Sequence, residues 1–242
     1  MKYYIQTGLT ARDTHIISKI TTNKLPNLDN CNIDTTWVDY CLHTMDCLAV
    51  DFNFYMFFQK TFPNVPQRLF FTFLNSAVLE LTKLLDARKN SEISLQKVLN
   101  RIEQNINNKT THKSFILFKK DIENWLNTRE SFIYNLFVIR DKMIAHQDVS
   151  ITQLDILNIA MNKFNINEFI DVANATIEIL CNIIKSIENC DIMTSGYFDF
   201  DEFNFIYEAL RSLDKIEKHV YLKNQIIHNI DLELREIKKL IE

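Results

Sequence analysis

The chain has 242 residues, 47% of them apolar and 24% charged, with a net charge of −4. It is long enough to bury a full core, and its mild acidity argues against a protein that coats nucleic acid through phosphate neutralisation more than against a nuclease working from a local basic groove. Two glycines and three prolines are too few for a sheet protein with tight hairpin turns, so an all-α fold is expected despite the abundance of Ile and Phe.

Residues 1–29 read as an N-terminal extension. Met1 to Gly8 holds no continuous apolar segment, and no apolar run approaches the roughly 18 residues that span a bilayer. A cytoplasmic protein without a membrane partner is therefore expected. A short helix is predicted over about Asp13–Thr22, followed by the polar turn Asn23–Asn30. Asp34-Thr35-Thr36 reads as a helix start, with apolar residues continuing from Trp37 to Phe58. Pro63 and Pro66 close that helix and open the next, because proline is tolerated in a first turn but not in a helix interior. The next helix is predicted from about Gln67 to Asp86, where apolar residues between Leu69 and Leu85 recur three and four apart as one buried stripe. Ser94 is placed as the cap of a shorter helix carrying Leu95, Val98, Leu99, Ile102 and Ile106, with Asn105–Thr111 as a loop.

A long helical stretch is expected from near Ser114, its apolar positions including Phe115, Phe118, Ile122, Trp125, Leu136 and Phe137, and it delivers the chain to Arg140. Gln147–Ser150 reads as a loop, and a further helix is expected over Asn167–Asn189 with Phe169, Val172, Ile177, Leu180 and Ile184 inward. Cys190–Tyr197 holds Gly196 and is the expected boundary. Beyond it, Phe200–Glu242 reads as helix, in two pieces near His219, with Asp199–Glu202 as an acidic first turn. The five cysteines are odd in number and lack a C-x-x-C pair, which argues against a zinc site and a disulfide framework and leaves most of them as buried small apolar side chains. Neither a metal nor another cofactor is expected.

The residues that suggest chemistry are in Arg140-Asp141-Lys142-Met143-Ile144-Ala145-His146. Cleavage of RNA by its own 2′-hydroxyl needs a base for that proton, an acid for the leaving 5′-oxygen, and positive charge beside the pentacoordinate phosphate. Histidine suits the proton transfers, with an ordinary pKa of about 6.5. A guanidinium suits the phosphate, because its charge is permanent and its planar fork matches phosphate oxygens. Asp141 is placed to orient Arg140 or to sit in solvent, and Lys142 to touch a neighbouring phosphate. The bland alternative is a surface Arg and a helix-terminal His favoured by the C-terminal dipole. On a straight helix, six residues at about 100° each set Arg140 and His146 roughly 120° apart. They share a face only if the helix bends or ends between them, or if the site is assembled from two chains.

An Arg followed by a polar residue, with a His four to six residues on, at the close of an amphipathic helix, resembles the HEPN signature. The runs Phe71–Asp86, Ser94–Glu103 and Phe132–Asp148 are similar to the AbiU-type abortive-infection group of that superfamily, the resemblance covering roughly residues 30–190. It implies an up-and-down helical bundle over 30–190, with 197–242 as an additional C-terminal helical extension. It further implies a metal-independent endoribonuclease of a defence or toxin-type system, with His146 in proton transfer and Arg140 on the phosphate. The implied partners are RNA, a second copy in a homodimer whose two motifs face one cleft, and an antitoxin or other defence-system partner. The alternative within the family is a non-catalytic module that binds a nucleotide, RNA or protein. Asp148 stands where a tyrosine sits in the branch regulated by adenylylation, so that regulation is not expected here.

Elsewhere, Lys119-Lys120 and Arg88-Lys89 read as solvated helix faces, and Phe52–Phe58 as core or dimer interface rather than a base-stacking platform.

Overall fold

A computed structural model describes residues 2–5, 16–29, 31–65, 71–86, 93–141, 164–194 and 204–241. The fold is all-α, as composition predicted. In chain order the described elements are β1 (Lys2–Ile5), α1 (Ile16–Ile20), α2 (Val38–Thr61), α3 (Phe71–Leu85), α4 (Leu95–Asn105), α5 (Lys109–Thr128), α6 (Glu130–Ile139), α7 (Ile166–Glu188), β2 (Asp191–Thr194) and α8 (Asn204–Ile241). The described residues fall into two compact units. One is drawn from Met1–Asn53 with Phe73–Tyr197, the other from Phe54–Thr72 with Phe198–Glu242.

In the first unit, side chains replace missing backbone partners at the starts of α5 and α7 and in the turn ahead of α2. Asp34 accepts from the Thr36 N–H at 3.0 Å and its hydroxyl at 3.1 Å, turning the chain into α2. Asn108 accepts from the N–H groups of Thr110 (2.9 Å) and Thr111 (3.1 Å), so α5 begins inside the segment expected to be a loop. Asn165 caps α7 in the same way, and Asn189 ends it in the left-handed region at φ 45°, a conformation asparagine tolerates better than most residues. Ser94 occupies the cap position of α4, but its hydroxyl is buried and bonds to nothing, so the expected capping bond is not made.

The core of this unit is built from the predicted stripes. Ala77, Val78, Leu81 and Leu84 of α3, Val98, Leu99 and Ile102 of α4, Phe115, Phe118 and Ile122 of α5, and Phe169, Val172, Ala173, Ile177, Leu180 and Ile184 of α7 are all buried. Phe52 stacks on Phe169 with ring centroids 5.0 Å apart, which places Phe52 in the core. The polar segment after α1 is anchored rather than loose. Asp121 of α5 accepts from the Thr22 and Asn23 N–H groups and from both their side chains, and Ser186 of α7 donates to the Pro26 carbonyl at 2.9 Å.

Three further expectations are corrected. The stretch from Ser114 to Arg140 is two helices, because the chain breaks at Arg129 (φ −109°, ψ 8°). Residues 2–5 and 191–194, expected as part of an extension and as a boundary, pair as a short parallel ribbon with Lys2 opposite Asp191. Of the five free cysteines only Cys41 and Cys181 are buried; burial pushes the Cys181 thiol up to about 12.

In the second unit, Phe54, Phe58 and Phe62 stack along the end of α2, and Tyr207 of α8 meets Phe57 and Phe62. Asp214 accepts from the Asn64 N–H at 2.8 Å. α8 is one continuous helix of 38 residues, with no division near His219. The acidic turn Asp199–Glu202 lies outside the described residues.

Candidate functional site

The geometry at the motif follows from the break at Arg129. Its N–H bonds back to the Leu126 carbonyl at 3.0 Å, ending α5, and its own carbonyl then accepts from Ile133 at 2.9 Å, starting α6. Glu130 in the first turn complements the helix dipole there. Along α6 the buried residues are Phe132, Leu136 and Ile139, so a residue four beyond Leu136 continues the inward stripe. That residue is Arg140, and its side chain is only 11% exposed. Regular α-helix stops at Ile139, and the backbone widens to π-type at Arg140 and Asp141. The straight-helix arithmetic that separated Arg140 from His146 therefore loses its premise at Arg140 itself.

A largely buried guanidinium needs compensation, and two carboxylates supply it. The Arg140 NH1 donates to Asp86 Oδ2 at 3.0 Å, and Nε donates to Asp141 Oδ1 at 2.7 Å. NH2 lies 2.6 Å from the same Asp141 oxygen. The guanidinium carbon sits 4.8 Å from the centroid of the Phe137 ring, a cation–π contact that fixes its plane. Asp86 follows the last residue of α3 and is 12% exposed, whereas Asp141 is 46% exposed. One carboxylate is thus a buried anchor and the other a solvent-facing clamp.

Arg140, Asp86 and Asp141 line a cleft of about 620 Å³ in the first unit. Leu85, Leu95, Leu126, Ile133 and Phe137 form its apolar wall, and Gln96, Asn127 and Glu130 add polar groups. Its volume falls in the range of small-molecule and nucleotide-sized sites. Chemically, Nε, one Nη1 hydrogen and the Nη2 hydrogen on the Nε side face carboxylates, and the second hydrogen on each of Nη1 and Nη2 retains donor capacity toward an oxyanion.

Of the residues singled out by the sequence, Arg140 and Asp141 are brought together at this cleft, while Lys142, His146 and Asp148 lie outside the described residues. Arg88 and Lys89 lie outside them too. Lys119, expected on a solvated face, instead reaches across to α4, bonding Asn100 at 2.6 Å and Glu103 at 2.5 Å, with its side chain 14% exposed. Asp86 was missed as a site residue. Its one sequence signal is a carboxylate placed at the end of an apolar stripe, and nothing local connects it to an arginine 54 positions on. Among the described residues no group of three or more His, Cys, Asp or Glu side chains could hold a metal ion.

The described residues thus form an all-α protein in which one helix ends on an arginine clamped by two carboxylates. Residues 69–209, more than half of the chain, match the HEPN family AbiU2, and the chain belongs to that family. The match begins and ends later than the roughly 30–190 drawn from the sequence resemblance. No curated protein matches the chain, and no solved structure does. Among the described residues no helix is long and apolar enough to cross a membrane.

Proposed function

We propose that the protein is a metal-independent endoribonuclease of a cytoplasmic defence or toxin-type system, cutting RNA through a composite site of Arg140 and His146. The carrying observation is the placement of Arg140, a family-motif arginine held in a fixed plane at the edge of a cleft with donor capacity remaining. In this reading the guanidinium neutralises charge gathering on the phosphate, His146 moves the protons, Asp141 orients Arg140, and Lys142 contacts an adjacent phosphate. A homodimer that brings two motifs to one cleft completes the site, because a two-fold interface repeats a single patch. RNA is the substrate, and an antitoxin or other defence protein is the controlling partner.

A second reading has a specific observation in its favour. With two carboxylates on one guanidinium, the immediate cluster carries a net negative charge, which suits a structural or accessory HEPN module. The two readings part on one assay. Incubation of RNA with purified protein in EDTA is expected to give fragments with 2′,3′-cyclic phosphate ends, and His146→Ala is expected to lose at least about 100-fold in rate. Folded wild-type protein that leaves RNA intact, or a His146→Ala protein that cuts normally, overturns the nuclease reading.

A further inference from the structure

The C-terminal helix carries a pattern that the nuclease reading does not use. From Ile206 to Ile241, apolar residues recur alternately three and four apart. Ile206, Leu213, Val220, Ile227, Leu234 and Ile241 hold one heptad position, and Ala209, Ile216, Ile230 and Ile237 hold the other. Lys223 is the single polar residue in the series. A repeat of 3.5 residues, sustained over five heptads, winds a helix around another helix of the same period rather than onto a globular core. α8 supplies the length, at 38 residues or about 57 Å.

The seam is also open. Ile216 is 59% exposed, Val220 46%, Ile227 47% and Ile230 50%, with Ile226 beside them at 60%. The contacts α8 makes within its own unit, through Tyr207 and Asp214, are on another side. Tyr207 lies about 180° around the helix from Ile216. Isolated apolar side chains on a surface need no explanation, but a regular stripe of half-exposed isoleucine and valine marks an interface.

The occupant that matches this stripe in period and length is a second copy of the same helix, and Lys223 selects the orientation. In a parallel, in-register pair the two Lys223 ammonium groups face each other inside an apolar seam. In an antiparallel pair each Lys223 lies opposite the partner's Val220 and within one turn of the partner's Glu217. The same register sets Ile216 against the partner's Ile227 and Leu213 against the partner's Ile230. We propose that α8 pairs with α8 of a second copy as an antiparallel two-stranded coiled coil, a self-association surface that shares no residue with the Arg140 cleft.

Disulfide trapping in the full chain tests this independently of any cleavage assay. The double variant Ile216→Cys/Ile227→Cys is expected to form an interchain 216–227 cross-link on mild oxidation, identified by peptide mass mapping so that the five native thiols are distinguished. Adding Ile230→Glu, a change at an exposed position that leaves the core untouched, is expected to reduce its yield at least tenfold. Self-linking of a single Ile227→Cys variant shows a parallel pair and overturns the orientation. Absence of the 216–227 cross-link, or its persistence with Ile230→Glu, overturns the pairing.

Discussion

Removing Asp86 is the most informative single perturbation of the site, because burial and distance make opposite forecasts there. By distance, Asp141 is the stronger partner of Arg140, at 2.6 and 2.7 Å against 3.0 Å for Asp86. By burial the order reverses, since Asp86 is 12% exposed and Asp141 46%. Breaking a fully buried ion pair by deleting one member costs about 3–5 kcal/mol, because the other charge is stranded. Arg140 keeps Asp141 and the Phe137 ring after Asp86→Ala, so the expected loss falls to about 1–3 kcal/mol. Asp141→Ala removes a solvent-screened partner and is expected to cost about 0–1 kcal/mol. Urea denaturation of wild type, both single variants, Arg140→Ala and the Asp86→Ala/Arg140→Ala double variant closes the cycle. A coupling energy of about 1 kcal/mol or more between Asp86 and Arg140 is expected. Coupling indistinguishable from zero, or a larger loss from Asp141→Ala than from Asp86→Ala, refutes the claim that the buried pair anchors the site. The cycle also shows why Arg140→Ala by itself is a poor test of catalysis. It removes the Arg140 guanidinium from the buried Asp86 carboxylate, so a loss of activity mixes folding with chemistry.

Two further expectations concern the scaffold. Asn108→Ala, which removes an acceptor for two N–H groups at the start of α5, is expected to cost about 1 kcal/mol in chemical denaturation, whereas Ser94→Ala is expected to be neutral or slightly stabilising because its buried hydroxyl has no partner to lose. For Asp121, desolvation pushes the carboxyl up, but the hydrogen bonds from Asn23 and Thr22 outweigh it and leave the pKa below the ordinary carboxylate value. A depressed folded-state pKa contributes stability that is present above the unfolded value of about 3.9 and is lost as pH falls through the folded value. The wild-type advantage over Asp121→Asn in denaturation midpoint should therefore be larger at neutral pH than in strong acid, and an advantage that grows on acidification contradicts the assigned direction.

Most of the helical architecture was legible because it rests on periodicity and punctuation, which are local. The stripes in α3, α4 and α7 needed only their three-and-four spacing, and Pro63 with the polar residues around it sufficed to end α2. What was not legible depends on partners distant in sequence or on backbone choices that several residues permit. Nothing in Asn127-Thr128-Arg129 announces a helix break, since no glycine or proline marks it, yet this break aims α6. The ribbon of residues 2–5 with 191–194 unites the two segments that local pattern described least, and a four-residue strand carries too little alternation to be seen. Lys119 looked solvated because it is half of a lysine pair, and charge runs on helices usually face water; its acceptors, Asn100 and Glu103, belong to another helix. Asp86 was invisible as a site residue for the same reason, although the arginine it holds was the first residue the sequence singled out.

The two carboxylates on Arg140 also bear on how the proposed site would take RNA. A phosphate approaching the guanidinium meets a cluster whose charge is already negative, so two-donor binding along the Nε edge would need one carboxylate to yield its contact. Asp86 is poorly placed to yield, because separating it from Arg140 leaves two charges in a setting that water reaches little. Asp141 is well placed, because nearly half of it faces solvent and water can replace the guanidinium at little cost. Its Oδ1 covers the Nε and NH2 edge, the side of the fork that binds an oxyanion through two donors at once. Asp141 then acts as a stand-in for phosphate that pre-sets the arginine plane, while Asp86 and the Phe137 ring keep that plane fixed after the exchange. On that reading, Asp141 would hold the guanidinium in the free protein and release it to phosphate.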